Sequence, residues 1–191
     1  MKHHLISCPI FAKELDVVLA EISNKPVVHL MDYAVHISAE SMQKELSQAI
    51  KTAQGKGAAI TLLVGQDCQA QQPINHIANS CCGTMPQELN CIEMLLGQKK
   101  TKELQESRTS IMTPAWFKMI KSSIDQGLWT VEDARINLGW YDQILLLDTG
   151  VEALDEAMIM EFFELIQVPI DILPITLDHF KRVIHKLLSH S

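Results

Sequence analysis

Five cysteines lie in a chain of 191 residues, and four of them fall between Gly65 and Cys91, in GQDCQAQQPINHIANSCCGTMPQELNC. The fifth, Cys8, sits in LISCPIF near the N-terminus. Thiolate is a soft ligand suited to zinc, copper(I) or iron–sulfur chemistry. An activated thiolate is also a nucleophile. Three cysteines drawn from distant segments would leave a tetrahedral zinc with one position open, the arrangement of a catalytic site rather than a structural one. The plainer reading is that a free cysteine packs as a small hydrophobe. The chain has no Cys-x-x-Cys pair to decide between these readings.

Composition narrows the setting. Hydrophobic residues make up 47% and charged residues 20%, as in globular proteins. The net charge is −7, and acidic residues alternate with apolar ones on the helical stretches. A basic nucleic-acid footprint is missing, which excludes that class of partner. The run after Met1 is short and broken by Pro9, unlike a secretory signal. No apolar stretch reaches the roughly 18 residues of a membrane span. The expected location is therefore cytoplasmic, where thiols stay reduced; the odd cysteine count agrees.

The elements must bring these groups together. Leu5 to Pro9 reads as a first strand, and AKELDVVLAEI as a helix with Leu15, Val18, Leu19 and Ile22 on one face. KPVVHLMDYAVHI begins extended, and Ser38 opens a helix that Gly55 and Gly57 end. AAITLLVG is a continuous apolar run, the pattern of a strand buried on both faces. NCIEMLLG fits strand or helix alike. RTSIMT reads as a strand, and Pro114 starts PAWFKMIKSSIDQG as a helix. Thr130 and Asp133 form a capping box for VEDARINLG. YDQILLLDTG is a buried strand, LDEAMIMEFFELIQ an amphipathic helix, VPIDILPITL an edge strand and DHFKRVIHKLL a closing helix. Strands alternate with helices throughout. The expected fold is α/β: one three-layer, Rossmann-like sandwich around a mostly parallel sheet, a single domain over 1–191.

Open parallel sheets bind ligands outside the carboxyl ends of their strands. Cys8 ends the first strand there; Asp67 and Cys68 follow TLLVG; Thr113 follows RTSIM; Asp148 and Thr149 follow QILLL. Cys91 lies beside another apolar segment. This convergence marks that edge as a candidate site, in which Cys8, Cys68 and Cys91 are either ligands of zinc or an iron–sulfur cluster or thiols that only pack.

The succession ISCPIFAKEL, LLVGQDC, LNCIEMLLGQ, SIMTPAWF and ILLLDTG resembles the family called domain of unknown function sixteen-thirty-eight, over nearly the whole chain. The resemblance falls on Cys8, Cys68, Cys91, Thr113 with Trp116, Asp148 to Gly150, and His36 in YAVHISAES. With it, zinc or an iron–sulfur cluster is expected at Cys8, Cys68 and Cys91, with Gly65 and Thr113 contacting the cofactor and Asp148 and His36 as acid–base or supporting groups. Family genes often lie near corrinoid-dependent methyltransferases, so the resemblance implies a role in or beside methyl transfer, with corrinoid proteins as partners. Two positions depart from it: Asn90 stands where aspartate is usual, and Gln69 where glycine follows the second cysteine. The pair Cys81–Cys82 looks local to this chain.

Other signals are set aside. LLLDTG matches the aspartic-protease signature, but that chemistry needs two carboxylates on a β-rich scaffold. Asp148 then reads equally as a turn or cap residue. His3, His4, His179, His185 and His190 are read as solvated, His29 as a strand histidine, and Trp116, Trp129 and Trp140 as core anchors. Cys81, Cys82 and His76 are read as loop residues. The glycines of GKGAAI precede a strand, so they form no phosphate loop. The Asp-x-His-x-x-Gly pattern of a corrinoid lower ligand is absent. The alternatives to a metal protein are a metal-free enzyme with Cys68 as nucleophile and a binding module of the same fold. A homodimer is compatible with such a domain.

Overall fold

The computed structural model describes residues 3–33, 39–54, 59–66, 68, 84–105 and 108–189. They form an α/β protein whose strands are all parallel and fall into two sheets of three, where the sequence led us to expect one sheet. The chain divides into two compact units: Met1–Gly97 with Leu177–Ser191, and Gln98–Thr176.

In the first unit, β1 (His3–Ser7) lies between β2 (Val27–Leu30) and β3 (Ala59–Leu63). Leu5 and Ile6 on opposite faces of β1 are both fully buried, which is why the strand reads as an unbroken apolar run. A 3-10 turn, Pro9–Phe11, leads into α1 (Ala12–Ala20). Helix α2 (Ala39–Gln54) turns Met42, Leu46, Ile50 and Ala53 inward at helical spacing. The ambiguous NCIEMLLG segment is a helix, α3 (Cys91–Leu96).

The second unit opens with α4 (Gln98–Gln105), which apolar periodicity did not predict: Thr101 is its one buried residue. Strand β4 (Thr109–Met112), helix α5 (Pro114–Asp125), helix α6 (Val131–Leu138), β5 (Gln143–Asp148), α7 (Glu156–Ile166) and β6 (Ile170–Pro174) follow, with β5 central. The Thr130–Asp133 capping box of α6 is present in both directions. Phe117 of α5 and Phe162 of α7 stack at 3.8 Å. The edge position of β6 tolerates Pro174 at its end.

The last helix, α8 (Asp178–Ser189), belongs to the first unit. Phe180, Val183, Ile184 and Leu187 form its buried stripe. Phe180 stacks on Phe11 at 5.1 Å. Lys181 pairs with Glu21 at 2.7 Å on the surface.

Two readings of aromatic residues are corrected. His4 is 1% exposed, not solvated: its ring stacks on His29 at 4.9 Å, and Nδ1 lies 2.7 Å from Nε2 of His29. A central parallel strand is covered on both faces, so alternation brings no solvated side. Trp140 is 72% exposed rather than a core anchor; it lies just beyond α6, and its carbonyl accepts from Arg108.

His3 is half-buried, with Nε2 at 2.8 Å from the Thr61 hydroxyl. Burial holds its pKa below the ordinary 6.5. The folded chain therefore keeps His3 neutral while the unfolded chain takes up a proton first as pH falls. Stability contributed by the neutral ring is complete above 6.5 and declines below it. Thermal midpoints should fall more from pH 7.5 to about 5.5 in the native chain than in His3→Gln, whose glutamine does not titrate.

Candidate functional site

Cys8 directly follows β1 and continues its pairing: its N–H donates to Leu63 O at 3.3 Å. The residue before a proline favours extended backbone, and Cys8 adopts φ −59° and ψ 138° ahead of Pro9. The Ser7 hydroxyl donates to the Cys8 carbonyl at 3.0 Å. Backbone on both sides thus fixes a side chain that is 3% exposed.

Cys68 follows β3 through a short turn, its N–H donating to Gly65 O at 3.2 Å. It is partly exposed. Cys91 is the first residue of α3 and is 9% exposed. Among the described residues no disulfide joins these cysteines.

The segment before Cys91 explains how it reaches the same edge. Thr84 bridges in parallel to Thr61, with Leu62 N–H donating to Thr84 O at 2.8 Å. The chain then runs alongside the end of β3, where the Gln66 side chain donates to Pro86 O at 3.0 Å. At Gly65 the two backbones nearly touch: a Cβ there would stand 2.5 Å from Leu89 O and 2.6 Å from Asn90 Cα. Gly65 was assigned to contact a cofactor; what the structure shows there is this close approach, which only glycine permits.

Asn90 caps α3, its side-chain oxygen accepting from Ile92 N at 3.1 Å and Glu93 N at 3.0 Å. The Glu93 carboxylate, 5% exposed, reaches back to Leu89 N at 2.9 Å. Asparagine and aspartate are about equally good caps, so the departure at Asn90 keeps the local structure. Asn90→Ala should cost about 1 kcal/mol and speed alkylation of Cys91, whereas Asn90→Asp should change neither. Circular dichroism melts and mass-resolved alkylation read both.

Electrostatics ties the three thiols together. Burial pushes the Cys8 pKa well above its usual value; the Cys91 thiol pushes it further, a backbone hydrogen bond at Ile10 opposes, and Cys68 adds a further upward push. Cys91 and Cys68 therefore both lie within electrostatic reach of Cys8. As they stand, no three His, Cys, Asp or Glu side chains among the described residues form a ready metal site. Asp67, His76, Cys81 and Cys82 lie outside the described residues, as does His36. In kind, three thiols, of which Cys8 and Cys91 are buried, are a donor set suited to zinc or an iron–sulfur cluster.

Asp148 and Thr113 belong to the second unit. Asp148 ends β5, and its carboxylate accepts from Gly150 N at 2.9 Å. This is a turn-closing role, and Gly150 adopts φ +66° within it. The cap of α7 is a different residue, Asp155, which accepts from Met158 N at 3.1 Å. Thr113 is the N-cap residue of α5, 1% exposed. Sequence reasoning missed Glu93 and the His4–His29 pair. Glu93 had a signal, standing three residues after the capping Asn90.

The sequence model of a family described as "Protein of unknown function (DUF1638)" matches residues 30–184. That range contains His36, Cys68, Cys91, Thr113 and Asp148 and begins after Cys8. No curated protein and no solved structure matches the chain. No helix among the described residues is long and apolar enough to cross a membrane.

Proposed function

The chain belongs to this family of unknown function, and from that premise we propose that it binds a metal ion or iron–sulfur cluster through Cys8, Cys68 and Cys91 and acts in or beside corrinoid-linked methyl metabolism. One observation supports the metal reading: the thiols of Cys91 and Cys68, on separate segments, both lie within electrostatic reach of Cys8, just beyond the end of β1. Parallel sheets offer that edge to ligands. The metabolic setting is supported by the family resemblance alone.

A zinc ion held there supplies a Lewis acid with one position left for a substrate, and a cluster supplies an electron store. The chain's own residues do the rest. Cys8, held neutral by burial, would release its proton to solvent as a cation takes its place on the sulfur. Asn90 and Glu93 fix the start of α3, and with it Cys91. Gly65 lets the two backbones that carry Cys68 and Cys91 lie against each other. Cys68 is the most exposed of the three thiols.

Elemental analysis and an absorbance spectrum of protein purified without oxygen test this. Near-stoichiometric zinc, or iron with acid-labile sulfide, supports it; neither, in the native chain, overturns it. A second reading follows from the exposure of Cys68: a metal-free enzyme with that thiol as nucleophile. A single fast-alkylating cysteine in metal-free protein would favour it.

A further inference from the structure

We propose that the carboxyl end of β4 is a second binding site, independent of the cysteines, which takes the carboxylate group of a small hydroxy acid at the N-terminus of α5. The site lies wholly within the second unit.

An unusual helix start is the first observation. Helix α5 runs twelve residues, Pro114–Asp125, and its N-cap residue is a threonine, a good capping type. Yet the Thr113 side chain makes no cap hydrogen bond. Pro114 has no N–H to give, and Trp116 N–H donates instead to the Thr113 carbonyl at 3.0 Å. Ala115 is thus the first N–H that the helix turns outward, at the positive end of its dipole.

The second observation is the Thr113 hydroxyl itself. The residue is 1% exposed and its Oγ1 has no hydrogen-bond partner. A buried hydroxyl left unmatched costs free energy, typically about 1–3 kcal/mol. Here it stands where a parallel strand ends and a helix begins, the place where such sheets receive ligands. The three residues after it, Pro114, Ala115 and Trp116, are only half-buried, so the helix start is open on that side. An oxyanion at this point would accept from the Thr113 hydroxyl and from Ala115 N–H together.

Asp148 sets the class of ligand. The register Met112 to Leu146 places Asp148 on the neighbouring strand, one residue further along than Thr113. Adjacent strands are about 4.8 Å apart. A dianionic phosphate beside a carboxylate is disfavoured by Coulomb repulsion. A single carboxylate suffers less, and a hydroxyl next to it can donate to Asp148. The turn after Asp148 leaves room: nothing lies within 4 Å of the Cβ position of Gly150.

The experiment is a titration of the full, isotopically labelled chain with glycolate and, separately, with inorganic phosphate, followed by amide nuclear magnetic resonance. Glycolate should give saturable shifts at Thr113, Ala115 and Trp116. Thr113→Val should weaken it about 10- to 100-fold, the worth of a hydrogen bond to a charged group, and Thr113→Ser should restore it. Valine should fold normally, because the hydroxyl it replaces has no hydrogen-bond partner among the described residues. No saturable shift would mean that Thr113 holds only a water, and the proposal fails. It fails equally if Thr113→Val binds glycolate as well as the native chain, or if phosphate binds more tightly.

Discussion

Serine at Cys8, Cys68 and Cys91 together should strip the purified chain of metal while leaving its secondary structure in place. In the proposed site each thiolate would contribute a bond to the ion, and serine stays protonated and hard where the ion needs a soft anion. Loss of an outer-shell partner typically weakens a metal site about 10- to 100-fold; loss of one ligand should exceed that. Cys8→Ser should also lower stability, because its hydroxyl enters a position 3% exposed, whereas Cys8→Ala removes the ligand without adding a polar group. The two variants should therefore agree in metal content and differ in thermal midpoint. Adding zinc to metal-free protein should release protons, and affinity should fall as pH falls, steeply because three thiols compete for protons. A triple variant that keeps its full metal content refutes the site.

The second large effect is expected at a residue with no reactive group. Gly65→Ala should destabilise the first unit by about 1–3 kcal/mol, the usual cost of overpacking, and should lower metal occupancy too. The added Cβ would meet Leu89 O at 2.5 Å and Asn90 Cα at 2.6 Å, both backbone atoms that no rotamer change can move aside. The segment 89–90 must withdraw, and Cys91 withdraws with it. Gly127→Ala is the comparison: at φ +70° it carries a backbone strain that Gly65 lacks, but among the described residues nothing lies within 4 Å of the added atom. A loss of stability without loss of metal affinity, or equal effects for both variants, would show that the contact at Gly65 does not position the cysteine. Denaturant melts and metal titrations measure the two quantities separately.

Strands β1, β3 and β5 were legible because each is buried on both faces, which leaves an apolar run bounded by Pro9, Gly65 or Gly150. The same covering hid the fate of His4, since a histidine at the start of such a run looks like a terminal, solvated residue until its neighbours are known. Helix α3 has six residues, too few for periodicity to separate helix from strand, and only the cap decides it. Helix α4 has no apolar stripe at all; surface pairs such as Lys99 with Glu103 are its local signal. That Cys8 and Cys68 come just after β1 and β3 was legible from the strand boundaries alone, whereas Cys91 opens a helix. What Asp148 does could not be read in advance, because a carboxylate that closes a turn and one that serves a ligand occupy the same place in the sequence.

Helix α8 returns to the first unit only after the chain has passed through the whole of Gln98–Thr176. Phe180 stacks on Phe11 across that separation, and α8 packs on α3, the helix that begins with Cys91. During synthesis on the ribosome the second unit, continuous in sequence, can complete its fold while the first still lacks a wall. Closing so long a loop adds entropy cost and slows assembly. The support behind Cys91 is consequently delivered only after the whole of the second unit has been made.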